Sequence, residues 1–165
     1  MSVPIRAIAI TVSDRCAHST QEDVSGPVLV ELLREAGAEV VDQLIVSDDL
    51  EPLTETLREF AAREGVNLII TTGGTGFAAR DNTPEATRAV IQREAPGLAE
   101  AMRSASLPKT PLAMLSRGVC GAANGALIIN LPGSPKAVRE CFAVIKPVLQ
   151  HAVNLLGGVT KHENQ

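Results

Sequence analysis

A chain of 165 residues with neither Trp nor Tyr and only three Phe fits one domain, large enough to bury close to ~70% of the surface its unfolded form exposes. Its core has to come from Leu, Ile, Val and Ala, the filling of a sheet covered by helices on both faces. A net charge of −4 with no two adjacent Lys or Arg excludes the basic stripe of a nucleic-acid binder, and the scarcity of aromatics excludes the stacking platforms of a single-strand binder. Cys16, Cys120 and Cys141 are odd in number and form no CxxC, so no disulfide framework is expected and a reducing compartment is. No apolar run reaches ~18 residues and no charged-then-apolar leader opens the chain, so a soluble, cytoplasmic protein without membrane contact is expected.

In chain order, residues 5–13 (IRAIAITVS) form a short β-branched run that reads as a buried strand. The following helix has Ser25 as its cap, Pro27 in its first turn, Val28, Leu29, Leu32 and Leu33 on one face, and Gly37 as its stop. Residues 39–46 are a second strand. Ser47 and Asp48 are placed to cap the next helix, where Leu50, Leu53, Leu57, Phe60 and Ala61 make an apolar stripe that Gly65 ends. Residues 67–71 are a third strand, and the β-α-β-α-β order requires a parallel sheet. A helix is expected over residues 83–96 (TPEATRAVIQREAP) with Pro84 in its first position, and a shorter one over 97–106. Two apolar runs, 112–120 and 126–131, flank Asn124-Gly125, a hairpin signal. The closing helix is kinked or interrupted at Pro147, and residues 158–165 are a polar tail after a domain of residues 1–157. The fold class is therefore α/β: a single three-layer domain, a mostly parallel sheet with helices on both faces, plus a small hairpin.

Ligands of open parallel sheets bind beyond the carboxyl ends of the strands. Five polar or glycine-rich segments fall there: TVSDRCAHSTQEDVSG, VSDD, TTGGTGFAARDNTP, LSR and NLPGSPK. Gly74, Gly76 and Ala79 match a dinucleotide fingerprint, but no helix opens directly from that turn, and no Gly-Lys-Ser/Thr phosphate loop is present. What the loop does offer is chemistry: Gly73, Gly74 and Gly76 let amides converge, and Thr71, Thr72 and Thr75 add hydroxyl donors for an anionic oxygen. In NLPGSPK, Gly133 permits close approach, Ser134 caps a helix and Lys136 adds charge, a second anion site. Asp48, Asp49 and Asp81 would repel a polyphosphate, and Mg²⁺ held by one or two carboxylates resolves that. The alternative is that Asp48 only caps its helix while Asp81 pairs with Arg80. His18, His151 and His162 are scattered and are given no role.

At these same residues the chain resembles the molybdopterin adenylyltransferases, the MogA/MoaB family, which includes the gephyrin G domain. TVSD, EDVSGP, TTGGTGFAARDNTPEAT, LSRGVCG and LIINLPGSPK stand in family order and cover nearly the whole chain to Leu156. The resemblance implies Mg²⁺- and ATP-dependent adenylylation of molybdopterin with release of pyrophosphate, in molybdenum cofactor biosynthesis, with a separate downstream protein inserting the metal. It implies a homotrimer as well. Molybdopterin would be bound at Ser13, Asp14, Asp23, Ser25, Ser116, Arg117, Ser134 and Lys136. The nucleotide would be held at Thr72, Gly73, Gly74, Thr75, Gly76, Pro132 and Gly133. Catalysis and metal binding would fall to Asp48 and Asp81. Where the family reads Pro-Asp-Asp/Glu, this chain has Ser47-Asp48-Asp49, so Asp48 or Asp49 carries the metal role. A pterin-binding homologue without transferase activity and a trimeric scaffold are the alternative functions.

Overall fold

The alternation within the first strand sets the whole architecture, which a computed structural model describes for residues 1–160. In β1 (Arg6–Val12), Ala7 and Ala9 join one apolar cluster, and Ile8, Ile10 and Val12 join another on the opposite face. That period of two places a layer of helices on each side of the sheet. The remaining elements are α1 (Asp14–Ala17), α2 (Ser25–Glu35), β2 (Glu39–Val46), α3 (Leu50–Ala62), β3 (Leu68–Thr72), α4 (Thr83–Arg88), β4 (Arg93–Glu94), α5 (Pro96–Ser106), a 3₁₀ turn (Pro111–Leu115), β5 (Cys120–Ala123), β6 (Ala126–Leu131) and α6 (Pro135–Leu156). Helices α2, α5 and α6 pack on the Ala7/Ala9 face, and α3 and α4 on the other. Leu53 and Leu57 of α3 are fully buried, each contributing roughly 1.5–3 kcal/mol by leaving water.

The six strands lie in the order β2-β1-β3-β6-β5-β4. The first four are parallel, and β5 and β4 add two antiparallel pairings at one edge. Because β2 and β3 flank β1 on opposite sides, the chain reverses its winding direction there, which opens a crevice between the ends of β1 and β3. The expected hairpin joins β5 to β6. Asn124 (φ 51°) and Gly125 (φ 81°) both take the left-handed conformation that a two-residue turn with the right twist requires.

Several expected elements are corrected. The helix expected over residues 83–96 stops at Arg88, and Arg93–Glu94 instead pair with β5. The apolar run 112–120 is not one strand: Thr110 Oγ1 accepts from the Leu112 amide and starts a 3₁₀ turn, so β5 begins only at Cys120. Ser25 is the first helical residue rather than a cap, and Asp23 Oδ1 takes the Gly26 amide at 2.9 Å instead. Neither Ser47 nor Asp48 caps α3, whose N-cap is Asp49 with no side-chain bond to the helix. Leu50 of the expected stripe is exposed. Helix α6 runs uninterrupted through Pro147. A one-turn helix, α1, was not anticipated; Ser13 Oγ caps it by accepting from the Cys16 amide at 3.2 Å. Of the tail, Val159 still donates to the Asn154 carbonyl, and His162 lies outside the described residues.

Candidate active site

The four parallel strands end at one edge, and their loops are held against each other by backbone bonds. The Ser13 amide donates to the Val46 carbonyl and the Gly73 amide to the Leu131 carbonyl. Gly73 has φ 102°, and a Cβ there would stand 2.3 Å from the Val12 carbonyl oxygen, so only glycine permits the approach of the β3 loop to β1. A Cβ on Gly133 would stand 3.3 Å from Gly73 Cα. The rim read from sequence is thus one surface.

Two clefts open on it. A polar one of about 680 Å³ runs between the β1 loop and the glycine loop and is lined by Ser13, Asp14, Asp23, Ser25, Asp48 and Arg80 among others. A more apolar one of about 520 Å³ lies over α5, α6 and the 3₁₀ turn and is lined by Phe77, Met102, Leu112, Leu115, Ser116 and Cys141 among others. Gly74, Asp81 and Gly133 belong to the walls of both. Two chambers of ligand size that meet at a glycine, a carboxylate and a second glycine are suited to bringing two substrates end to end. Of the residues expected to hold molybdopterin, Ser13, Asp14, Asp23 and Ser25 fall in the polar cleft and Ser116 in the apolar one. Arg117, Ser134 and Lys136 line neither, although their neighbours Ser116, Gly118, Pro135 and Ala137 do. Of those expected at the nucleotide, Thr72 and Gly73 face the polar cleft, Thr75, Gly76 and Pro132 the apolar one, and Gly74 and Gly133 both.

The carboxylates divide by partner. Arg80 does not pair with Asp81, as one reading of the sequence had it. Its Nε and Nη2 bind Asp14 at 2.6 and 3.0 Å, and Nη2 also binds Asp49 at 2.8 Å. The Arg80 guanidinium, with the Asp48 amide behind it, holds the Asp14 carboxyl down at about 2. Arg80 and the Ser47 hydroxyl lower Asp49. Asp48 is moved the other way: burial raises its pKa, and the like charges of Asp14 and Asp81 add to that against the opposing bond from the Asp14 amide. One oxygen of Asp48 takes the Asp14 amide at 2.9 Å, and one of Asp81 takes the Ala78 amide at 2.8 Å. Each keeps its other oxygen without a hydrogen-bond partner among the described residues. Two half-satisfied carboxylates, one of them partly desolvated, offer open hard-oxygen donors of the kind Mg²⁺ takes. No group of three His, Cys, Asp or Glu side chains able to hold a metal occurs among the described residues, so phosphate and water oxygens would have to complete any shell.

The hydroxyls expected to serve an anion are largely committed elsewhere. Thr71 and Thr72 are fully buried. Thr71 Oγ1 accepts from Asn130, and Thr72 Oγ1 donates to the Pro132 carbonyl at 2.7 Å, tying the glycine loop to the NLPGSPK loop. Ser134 does cap α6, accepting from the Ala137 amide at 3.1 Å, and Lys136 is exposed with no ion pair among the described residues. The Arg117 guanidinium faces the glycine loop, bonding the Gly76 and Asp81 carbonyls and Glu85. Sequence reasoning missed three supports of the loop. Asn82 Nδ2 donates to the Asp48 carbonyl, Thr83 Oγ1 to the Gly73 carbonyl, and the buried Asn130 joins β6 to Thr71 and Thr87. A polar residue inside the apolar run LIINL was the one available signal for Asn130.

Residues 8–151 match the family model described as a probable molybdopterin binding domain. The chain is similar to a molybdopterin adenylyltransferase of Helicobacter pylori strain J99, 40% identical over 151 residues that span 90% of this chain and 86% of that one. It is also similar to the molybdenum cofactor synthesis protein cinnamon of Drosophila melanogaster, 47% identical over 90% of this chain, which spans 25% of that longer protein. Among solved structures, the molybdopterin biosynthesis enzyme MoaB of Thermus thermophilus superposes with a TM-score of 0.88 at 47% identity, over 93% of this chain and 97% of that one.

Proposed function

The chain belongs to the molybdopterin-binding domain family of MoaB and MogA, and on that premise we propose how its two clefts work together. Its activity is that of a molybdopterin adenylyltransferase in molybdenum cofactor biosynthesis. The terminal phosphate of molybdopterin and the α-phosphate of ATP meet at the junction of the clefts. A pterin phosphate oxygen attacks the α-phosphorus, the new P–O–P bond forms, and the α–β bond breaks with its electron pair leaving on pyrophosphate. The nucleophile is mostly dianionic at neutral pH, its second pKa being about 6, so no general base is required, in keeping with the lack of a histidine among the residues lining either cleft.

The observation that carries this reading is the sharing of Gly74, Asp81 and Gly133 by both clefts. Gly74 keeps the junction open, since a Cβ there would fall 2.4 Å from Thr83 Oγ1. The start of α6, capped by Ser134 next to the cleft-lining Pro135 and with Lys136 as its second residue, would supply amides and a cation to a phosphate. Asp48 and Asp81 would hold Mg²⁺ through their open oxygens, where it would offset the charge of two phosphates brought together. Asp49, committed to Arg80 and Ser47, is the weaker candidate. A homotrimer and delivery to a downstream molybdenum-insertion protein complete the proposal; sedimentation tests the first. No helix among the described residues is long and apolar enough to cross a membrane.

Purified protein given molybdopterin and Mg·ATP should release pyrophosphate and yield AMP-linked pterin, with Asp81→Asn sharply slower while the fold persists. Tight pterin binding with neither product would end the transferase reading.

A further inference from the structure

Arg117 lies 36 residues from Asp81 in the chain, yet its bonds converge on the loop that ends there. Its amide donates to the Thr75 carbonyl at 2.8 Å. Its Nε donates to the Gly76 carbonyl at 2.8 Å and Nη2 to the Asp81 carbonyl at 2.7 Å. Nη1 pairs with Glu85 on α4, and the guanidinium carbon lies 5.9 Å from the centre of the Phe77 ring. The two carbonyls it grips are the two ends of segment 76–81. Within that segment the Ala78 amide donates to Asp81 Oδ2 and the Asp81 amide to the Ala78 carbonyl. A Cβ on Gly76 would come within 2.8 Å of Asp81 Oδ2, so the segment closes tightly on that carboxylate.

The distribution of charge matters as much as the geometry. Glu85 takes the guanidinium's charge, and Arg117 touches Asp81 through its main-chain oxygen. The Asp81 carboxylate therefore stays unpaired at the junction of the clefts. A planar fork can reach two carbonyls and a carboxylate at once, and the point charge of a lysine cannot.

We propose that Arg117 is a positioning residue: it fixes both ends of segment 76–81 so that the Asp81 carboxylate stands at the cleft junction, and it acts on the reaction through that loop rather than by touching the pterin. The proposal rests on the adenylyltransferase reading for its effect on turnover, and on the loop geometry alone for its effect on order. It also departs from the pterin contact that family resemblance assigns to this residue.

The test compares wild type with R117K and R117M, with E85Q as a milder variant that keeps the carbonyl bonds but removes the charge partner. Amide hydrogen exchange over residues 76–81, measured without any ligand, should speed up about tenfold or more in both Arg117 variants and by less in E85Q. The KM for Mg·ATP should rise about tenfold, with lysine giving no rescue, while the Kd for molybdopterin stays within about twofold. Loop exchange at wild-type rates would overturn the proposal, and so would weakened pterin binding with the KM for Mg·ATP unmoved, which is the signature of direct contact. Should R117M fail to fold, as thermal unfolding would reveal, R117K and E85Q carry the same comparisons. A wild-type protein without transfer activity would remove the catalytic assignment, and the ligand-free exchange rates would still decide whether the clamp exists.

Discussion

Asp14 and Asp48 exchange hydrogen bonds across the ends of β1 and β2: the Asp14 amide donates to Asp48 Oδ2 at 2.9 Å and the Asp48 amide to Asp14 Oδ1 at 3.0 Å. The exchange fixes the Asp48 carboxylate with Oδ1 turned toward Gly74, 3.1 Å from where a Cβ on that glycine would stand. Its neighbour Asp49 is more than half exposed and bound to Arg80 and Ser47. Adjacent residues of one type therefore have different surroundings. Asp48→Asn should lower turnover about a hundredfold and weaken the response to added Mg²⁺, whereas Asp49→Asn should stay within about threefold. Pyrophosphate release at a series of Mg²⁺ concentrations separates them, and equal losses in both variants would sink the distinction.

Gly74 tests the junction itself. Its φ of 66° lies in the left-handed region, and an added methyl would meet Thr83 Oγ1 and Asp48 Oδ1. Gly74→Ala should destabilise the fold by roughly 1–3 kcal/mol and weaken binding of both substrates, because both clefts share that wall. Gly97, at the exposed start of α5 with nothing within 4 Å of its would-be Cβ, is the control: Gly97→Ala should be neutral or stabilising by up to about 1 kcal/mol. Urea unfolding of the two variants reads both outcomes.

The parallel core was legible in sequence because each strand is a short β-branched run and each crossover has helical length. β2 has the expected boundaries, and β3 is displaced by one residue. The segment after α4 was not, because RAVIQRE is as compatible with a helix as with a strand, and only tertiary pairing decides. The Gln92 amide donates to the Ala122 carbonyl and the Ala95 amide to the Cys120 carbonyl. Gly121 makes room, since a Cβ there would stand 2.7 Å from the Arg93 carbonyl oxygen. The rim of the site was legible for a related reason: parallel strands must end at one edge, so their loops had to meet. Which of Asp48 and Asp49 faces inward, and what Arg117 holds, depend on contacts across 30 or more residues that no local pattern encodes.

The Glu85–Arg117 pair gives the loop an acid limit. The Arg117 bond lowers the Glu85 pKa below its ordinary 4.5, against the opposing effect of burial. A carboxylate whose pKa is lower folded than unfolded stabilises fully above its unfolded pKa and loses that contribution as pH falls through the folded value. Both partners are about a third to a half exposed, so solvent screening keeps the contribution to roughly 0.5–1 kcal/mol. Wild type should therefore exceed E85Q in stability near pH 7, with the gap closing as the pH drops below 4.5. Unfolding curves across that range measure it, and a gap independent of pH would show that the charge is not what stabilises.

Asn130 carries the largest stability prediction. It is 2% exposed, and its Oδ1 accepts from the Val119 amide at 3.0 Å while Nδ2 donates to Thr71 Oγ1 at 3.1 Å and Thr87 Oγ1 at 2.9 Å. Every buried side-chain nitrogen and oxygen among the described residues has such a partner. Removing this amide strands a buried N–H and deprives two hydroxyls of their shared donor. Asn130→Ala should cost about 2–4 kcal/mol, the sum of an unmet amide and a small cavity. Because Asn130 lines neither cleft, the variant should bind molybdopterin with near wild-type affinity at temperatures well below its lowered Tm. Calorimetric unfolding together with a pterin titration at 15 °C checks both halves. A variant with unchanged Tm would show that the threonines find other partners, and one that lost pterin at full foldedness would tie this network to the site rather than to the core.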